Sequence, residues 1–375
     1  MPSIASRNLN LNTYLSDKTG VRVAISADGD RFVAAGSRGL VKDGQWLRTP
    51  EGANLRLNSS SEDETGVAVA LSDRGDHWVA AGSNGVLKNG EWVKDTKGET
   101  LRLSSTQHDK TGVEVAISAD GSTWVAAGSE GVLKDGAWLT EGEGTRLRLN
   151  HYVQDKTGVD VSVSQDGTRW AAAGSNGVLL NGRWATDADG NRLYLNHYRQ
   201  DETGVDVAVA DQSDGWIGAG SRGVIKDGRW VTAADGSRLH LNHYLEDKTG
   251  VSVAISDKGD HWVAAGSNGV VKDGQWVTGQ DGARLHLNHY REDQTGVSVA
   301  ISDDGANWVG AGSNGILVNG RWVTDSEGNR LYANHYLNDE TGVSASISDD
   351  GSRWMVIGSN GVVVDGAFLS ADSVR

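Results

Sequence analysis

The sequence predicts an all-β chain built from eight copies of one 46-residue unit, and three observations carry that prediction. Thr-Gly-Val recurs at Thr19, Thr65, Thr111, Thr157, Thr203, Thr249, Thr295 and Thr341, always 46 residues apart. A Gly-Ser-x-Gly turn keeps the same phase from Gly36 to Gly358. All fourteen Trp and both Phe fall on two positions of the unit. A period of about 40 to 50 residues with four strands per unit is the signature of propeller blades. The predicted fold is therefore an eight-bladed β-propeller, a single domain over residues 1–375.

Copy six illustrates the elements. Val251 to Ser256 alternates and is rich in β-branched residues, so it reads as a first strand. Asp257-Lys258-Gly259 turns the chain into a second strand, His261 to Gly266. Asn268-Gly269 is a strong two-residue hairpin signal because both residues tolerate positive φ. Val270 to Val277 reads as a third strand with a bulge at Asp273-Gly274. Arg284 to Leu287 reads as the fourth, and Asn288 to Gly296 as the long return to the next copy. The chain starts on a fourth-strand segment, Leu9 to Asn12, and ends after a third strand at Phe368-Leu369. The N-terminal strand 9–12 is thus expected to complete the last blade, which closes the ring and removes a free sheet edge. An open solenoid would stack the repeats as well but needs distinct capping units, whereas copies one and eight look ordinary.

The two aromatic rows are expected to be glue between blades. A buried Trp covers roughly 150–250 Å², on the order of 4–6 kcal/mol each before entropy is counted. The formal charge of −15 excludes the basic footprint that nucleic-acid binding requires and disfavours anionic membranes. No apolar run reaches the length of a membrane span. Without cysteine, disulfides and thiolate chemistry are excluded. Met1 to Asn12 has no apolar leader segment, so a cytoplasmic protein, or one released without a visible signal peptide, is expected.

Ser118-Ala119-Asp120-Gly121-Ser122-Thr123-Trp124, with similar runs at Ser164 to Trp170 and Ser348 to Trp354, resembles the Asp-box of sialidase-type propellers. The family pattern has one more residue between Asp and Gly, and copy five departs further. The resemblance covers about seven residues in each unit. It implies a fold-stabilising turn without catalysis.

Functional residues are expected in the return loop. Its Asp-x-Thr-Gly recurs in all eight copies, as a turn in which Asp accepts backbone N–H groups, with calcium ligation as the other expectation. The preceding His-Tyr pair occurs only in copies four to eight, although copies two and three keep the rest of the unit. The candidate ligand-binding residues are His151, Tyr152, Asp155, His197, Tyr198, Asp201, His243, Tyr244, Asp247, His289, Tyr290, Asp293, His335, Tyr336 and Asp339. A Tyr ring covers an apolar sugar face while imidazole and carboxylate fix hydroxyls. Repeated shallow sites would add up through avidity. The expected function is a multivalent, glycan-binding lectin; the alternative is a non-catalytic protein-interaction or assembly scaffold with a protein partner. No residue constellation breaks the repeat to build one catalytic centre, so no enzyme is expected.

Overall fold

The computed structural model describes residues 11, 22–28, 30–59, 63–104, 109–150, 156–196, 203–242, 250–288, 296–334, 343–358 and 360–368. The chain is an eight-bladed β-propeller of four-stranded antiparallel sheets, with one 3₁₀ turn, Gly142–Gly144, as the sole helical element among the described residues. In every blade the strands lie side by side in sequence order. Blades one to three form one compact unit and blades four to eight another.

Blade six sets the pattern. Ser252–Ile255 pairs with Trp262–Gly266, with Ser252 opposite Ala265 and Ile255 opposite Trp262. Trp262–Gly266 pairs with Gly269–Lys272, which pairs with the two-residue strand Gln275–Trp276. The expected third strand is therefore two strands. Asp273-Gly274 is not a bulge but the turn between them. Asp273 has φ 49° and Gly274 φ 84°, the paired positive values of a type I′ hairpin turn. The same position is Asn or Asp in all eight blades, with φ between 48° and 53°. Its side chain explains the choice. Asn89 Oδ1 accepts the Trp78 N–H at 2.8 Å, and Asp135 and Asp273 do the same for Trp124 and Trp262. An L-residue that tolerates the left-handed region and can reach that amide must be Asn or Asp. The Ser267-Asn268 pair forms the second-to-third turn, and Gly269 opens the third strand at φ 125°.

The expected fourth strand, Arg284 to Leu287, lies outside the sheets. It joins its own blade through the Thr278–Arg284 bridge and through the Leu285 carbonyl, which accepts Val270 N–H, and then runs between neighbouring blades. Leu285 N–H donates to Val277 O, and Leu287 O accepts from Asn314 of blade seven. In blade eight the four strands all come from Ser344–Phe368. Of the closing strand expected at 9–12 only Leu11 is a described residue. Its carbonyl accepts Arg38 N–H at 2.9 Å, the bond Leu57 makes with Asn84 one repeat later.

The core is a series of inter-blade layers. Between blades one and two, Val33, Ala35 and Leu40 meet Val67, Trp78, Ala80 and Leu87, with Leu55 and Leu57 of the connecting segment filling the gap. Between blades seven and eight the layer is Val309, Ala311 and Ile316 against Val356 and Val363, with Leu331 and Ala333 between. The first aromatic row is buried in six of its eight copies, Trp78 to Trp308. The second is half-buried through Trp322. Arg146, Arg192, Arg238, Arg284 and Arg330 stack on Trp138, Trp184, Trp230, Trp276 and Trp322 at 3.9–4.1 Å.

Candidate functional site

The fifteen residues assigned to ligand binding from sequence, His151 through Asp339, all lie outside the described residues. What anchors their loops is visible. The Asn that precedes each His-Tyr pair is buried. Asn150, Asn196, Asn242 and Asn288 each accept a turn amide, from Ser175, Ser221, Ser267 and Ser313, at 2.8–3.0 Å. Asn150 and Asn196 donate in turn to the carbonyls of Thr157 and Thr203, across the loop that carries the pair. In these two copies one carboxamide clips the loop at both ends. The adjoining glycine is obligatory, because a Cβ on Gly174 or Gly220 would collide with the Asn oxygen and a Leu carbonyl.

In copies two and three the Asp of Asp-x-Thr-Gly is among the described residues, and it is fully buried. Asp63 accepts Thr65 N–H at 3.1 Å and the hydroxyls of Ser59 and Ser83. Asp109 accepts Thr111 N–H at 3.1 Å and the Ser129 hydroxyl. In these two copies the carboxylate holds the loop to the Gly-Ser-x-Gly turn, as the turn reading expects.

Two features went unread in the sequence. One is the x of Leu-x-Leu-Asn, on the segment that leads into each loop. Preceded by a Leu and followed by a buried Leu, or by buried Ala333 after Tyr332, it is Arg56, Arg102 and Arg148 in the first unit, and Tyr194, His240, His286 and Tyr332 in the second. Tyr332 is 38% exposed. His240 and His286 bond through Nδ1 to the Ser221 and Ser267 carbonyls at 3.2 and 3.0 Å. The signal was available as a position spaced by 46 residues that turns from guanidinium to ring side chains one copy after the His-Tyr pairs begin, since Arg148 still precedes His151-Tyr152.

The other is a set of carboxylates along the first strands of the second unit. Asp160 Oδ2 accepts Val207 N–H and Asp206 Oδ2 accepts Val253 N–H, at 2.8 and 3.0 Å. Ser252 and Ser298 do the same for Val299 and Ala345. Each side chain caps an edge amide of the next blade. Loss of hydration raises Asp206, against hydrogen bonds from Asp160 and Val253 that lower it. One turn further along, Asp257 N–H donates to Asp303 O, and Asp303 N–H to Asp349 O. Partial burial, then the charges of Asp257, Asp349 and Asp211, push Asp303 up to about 6. Asp257 is raised by the same burial. By contrast, Ser and backbone N–H donors draw Asp120 and Asp350 of the Asp-box-like turn down to about 2.

No protein-family profile matches the chain, and no curated protein matches it. Among solved structures it is similar to the hydrazine synthase of Kuenenia stuttgartiensis, with 13% identity, 93% of this chain and 96% of the other covered, and a TM-score of 0.42. It is also similar to the Dos1 propeller, at 14% identity, 81% and 82% coverage and TM-score 0.42. A third is the Cps50 (Swd1) β-propeller domain of Myceliophteria thermophila, at 15% identity, 78% and 92% coverage and TM-score 0.36.

Proposed function

We propose that the chain is a non-catalytic interaction scaffold whose blades display repeated binding loops to a protein partner. The observation that supports this most is the Asn clip. Asn150, Asn196, Asn242 and Asn288 are held alike, and a His-Tyr pair follows directly on each, as it does on Asn334. Equivalent anchoring gives equivalent presentation, so weak contacts at several loops combine through avidity. Tyr is well suited to such contacts because it brings a large rigid surface with a polar tip. Most buried polar groups among the described residues are engaged in holding blades and loops, which leaves the pairs as the candidates for binding.

A carbohydrate ligand is the second reading. It is favoured by the ring side chains Tyr194, His240, His286 and Tyr332, which lie on the segments leading into the same loops. One variant tests both. Tyr152, Tyr198, Tyr244, Tyr290 and Tyr336 are changed together to Ala. Purified partner, first identified by co-purification, is then titrated against both proteins, and both are applied to a glycan array. The scaffold reading expects several partner molecules per chain and binding about tenfold or more weaker in the variant. Glycan signal that is lost in the variant would instead favour the lectin. Partner and glycan binding that survive all five changes would sink both readings.

A further inference from the structure

We propose that Arg222 and Arg238 of blade five, which share the Trp230 ring, form a binding site for a carboxylate ligand. The proposal goes beyond the scaffold reading and uses no residue of the His-Tyr pairs, so either can fail alone.

Blade three shows the same place with a carboxylate built in. The x of its Gly-Ser-x-Gly turn is Glu130. Glu130 Oε2 accepts from Arg146 Nη1 at 3.2 Å, and Arg148 Nη2 lies 3.6 Å from the same oxygen. Arg146 makes that bond while stacked 4.0 Å over Trp138. A guanidinium lying on this ring therefore still presents N–H groups to the turn. In blade seven the x residue is Asn314, whose Oδ1 accepts from Arg330 at 3.1 Å. In blade four Arg192 donates to the Asn176 carbonyl at 3.4 Å. The shared arrangement is an acceptor on the turn facing an Arg that lies on the second Trp.

Blade five breaks it. Its x residue is Arg222, and Arg238 and His240 stand where blade three has Arg146 and Arg148. Arg238 lies 4.1 Å over Trp230, and Arg222 lies 5.6 Å from the same ring centroid. Two cations thus share one indole where blade three sets a cation against a carboxylate. Blade one, the other copy with Arg at x, has Asn54 in place of the second guanidinium. The Arg222 Nε is buried without an acceptor, and among the described residues neither Arg222 nor Arg238 makes an ion pair. Burial, then the charge of Arg238, lowers the pKa of Arg222 from its ordinary value, and the half-buried Tyr194 phenol opposes this. An anion between the two guanidiniums relieves their repulsion and takes up their free N–H groups. The planar fork of Arg matches a carboxylate with two parallel bonds, and a carboxylate is the group that blade three places at the same positions. Its source is a free organic acid or the acidic side chains of a polypeptide.

The test titrates the full chain with acetate, with a blocked tetrapeptide of glutamate and with inorganic phosphate, all at constant ionic strength. The readout is the Trp230 indole N–H signal by NMR, assigned through its loss in Trp230→Phe. Both carboxylate probes are expected to shift it saturably. A peptide that binds about tenfold or more tighter than acetate marks an acidic polypeptide as the source, and a smaller difference marks a free organic acid. Arg222→Asn installs the residue that five other copies carry at this position, and it is expected to weaken binding about tenfold or more. Arg222→Glu restores the arrangement of blade three. It is expected to abolish binding and to melt at or above the wild-type temperature, because the variant carries its own carboxylate. The absence of a saturable shift with either carboxylate up to roughly 50 mM overturns the proposal. So does a response to phosphate alone, or a carboxylate response that Arg222→Asn and Arg222→Glu both retain at wild-type strength.

Discussion

At the scale of single residues, the repeat depends on a few side chains that serve the backbone. Asn89 occupies a left-handed position, φ 53°, and accepts the Trp78 amide. Asn89→Ala keeps the strain and leaves a buried N–H without its acceptor. A loss of about 2 kcal/mol is expected in chemical denaturation, and Asn89→Asp should recover most of it. The Asn clip allows the opposite experiment. Copy three has Ser104 where its neighbours have Asn, and both the Ser104 and Thr111 hydroxyls are buried without a partner. A longer carboxamide can reach the Ser129 amide and the Thr111 carbonyl. Ser104→Asn is therefore expected to stabilise the protein by about 1 kcal/mol; a destabilised variant would show that this position cannot hold the larger side chain.

At the scale of elements, neighbouring blades of the second unit are linked by amide-to-carbonyl bonds at Asp257, Asp303 and Asp349, which crowd their carboxylates. Asp303 is raised to about 6, above the usual 3.9 or so of Asp. The folded state therefore holds this proton more tightly than the unfolded chain. Its contribution is fully present below about pH 4 and is lost as pH rises through about 6. Asp120 and Asp350 act in the other direction. Lowered to about 2, they contribute above about pH 4 and lose that contribution as pH falls through 2. Asp303→Asn is expected to flatten the decline in stability between pH 4 and 6 while leaving the acid limb below pH 4 in place. Melting temperatures measured across pH 2–8 check this, and an unchanged profile between pH 4 and 6 would assign that decline to other groups.

The elements also show how far the sequence could be read. The first three strand positions and both aromatic rows were legible because alternation and turn residues repeat eight times. The outer strand was not. It has only two residues, such as Gln275–Trp276, and Asp273-Gly274 suits a bulge and a type I′ turn equally well. Arg284 to Leu287 alternates like a strand, yet the alternation arises because Leu faces two blades while Arg284 lies on Trp276. Period-two patterning reports one buried side and does not say what buries it. The acidic row was hidden for a related reason. Asp257, Asp303 and Asp349 are neighbours only when consecutive blades stack, and nothing within one unit marks them. Of the candidate site, the Asn anchors and the buried Asp63 and Asp109 could be placed, while the His-Tyr pairs themselves lie outside the described residues.

At the scale of the whole molecule, comparison among copies separates two kinds of conserved-looking position. Most copies share the aromatic rows, the left-handed Asn or Asp and the Asn clip, and copies two and three show the turn Asp buried; all of these hold blades or loops. Only copies four to eight carry the His-Tyr pair, and a residue that some blades omit is free to serve binding. The central claim is that this division of labour is real. It is tested most directly by hydrogen exchange at the Ser267 amide, which donates to Asn242. Asn242→Ser is expected to speed that exchange about tenfold, as the loss of one hydrogen bond would, while Tyr244→Ala leaves it unchanged and weakens partner binding. An amide protected in Asn242→Ser but released in Tyr244→Ala would mean that the tyrosine holds the blade and the clip does not, and would contradict the account.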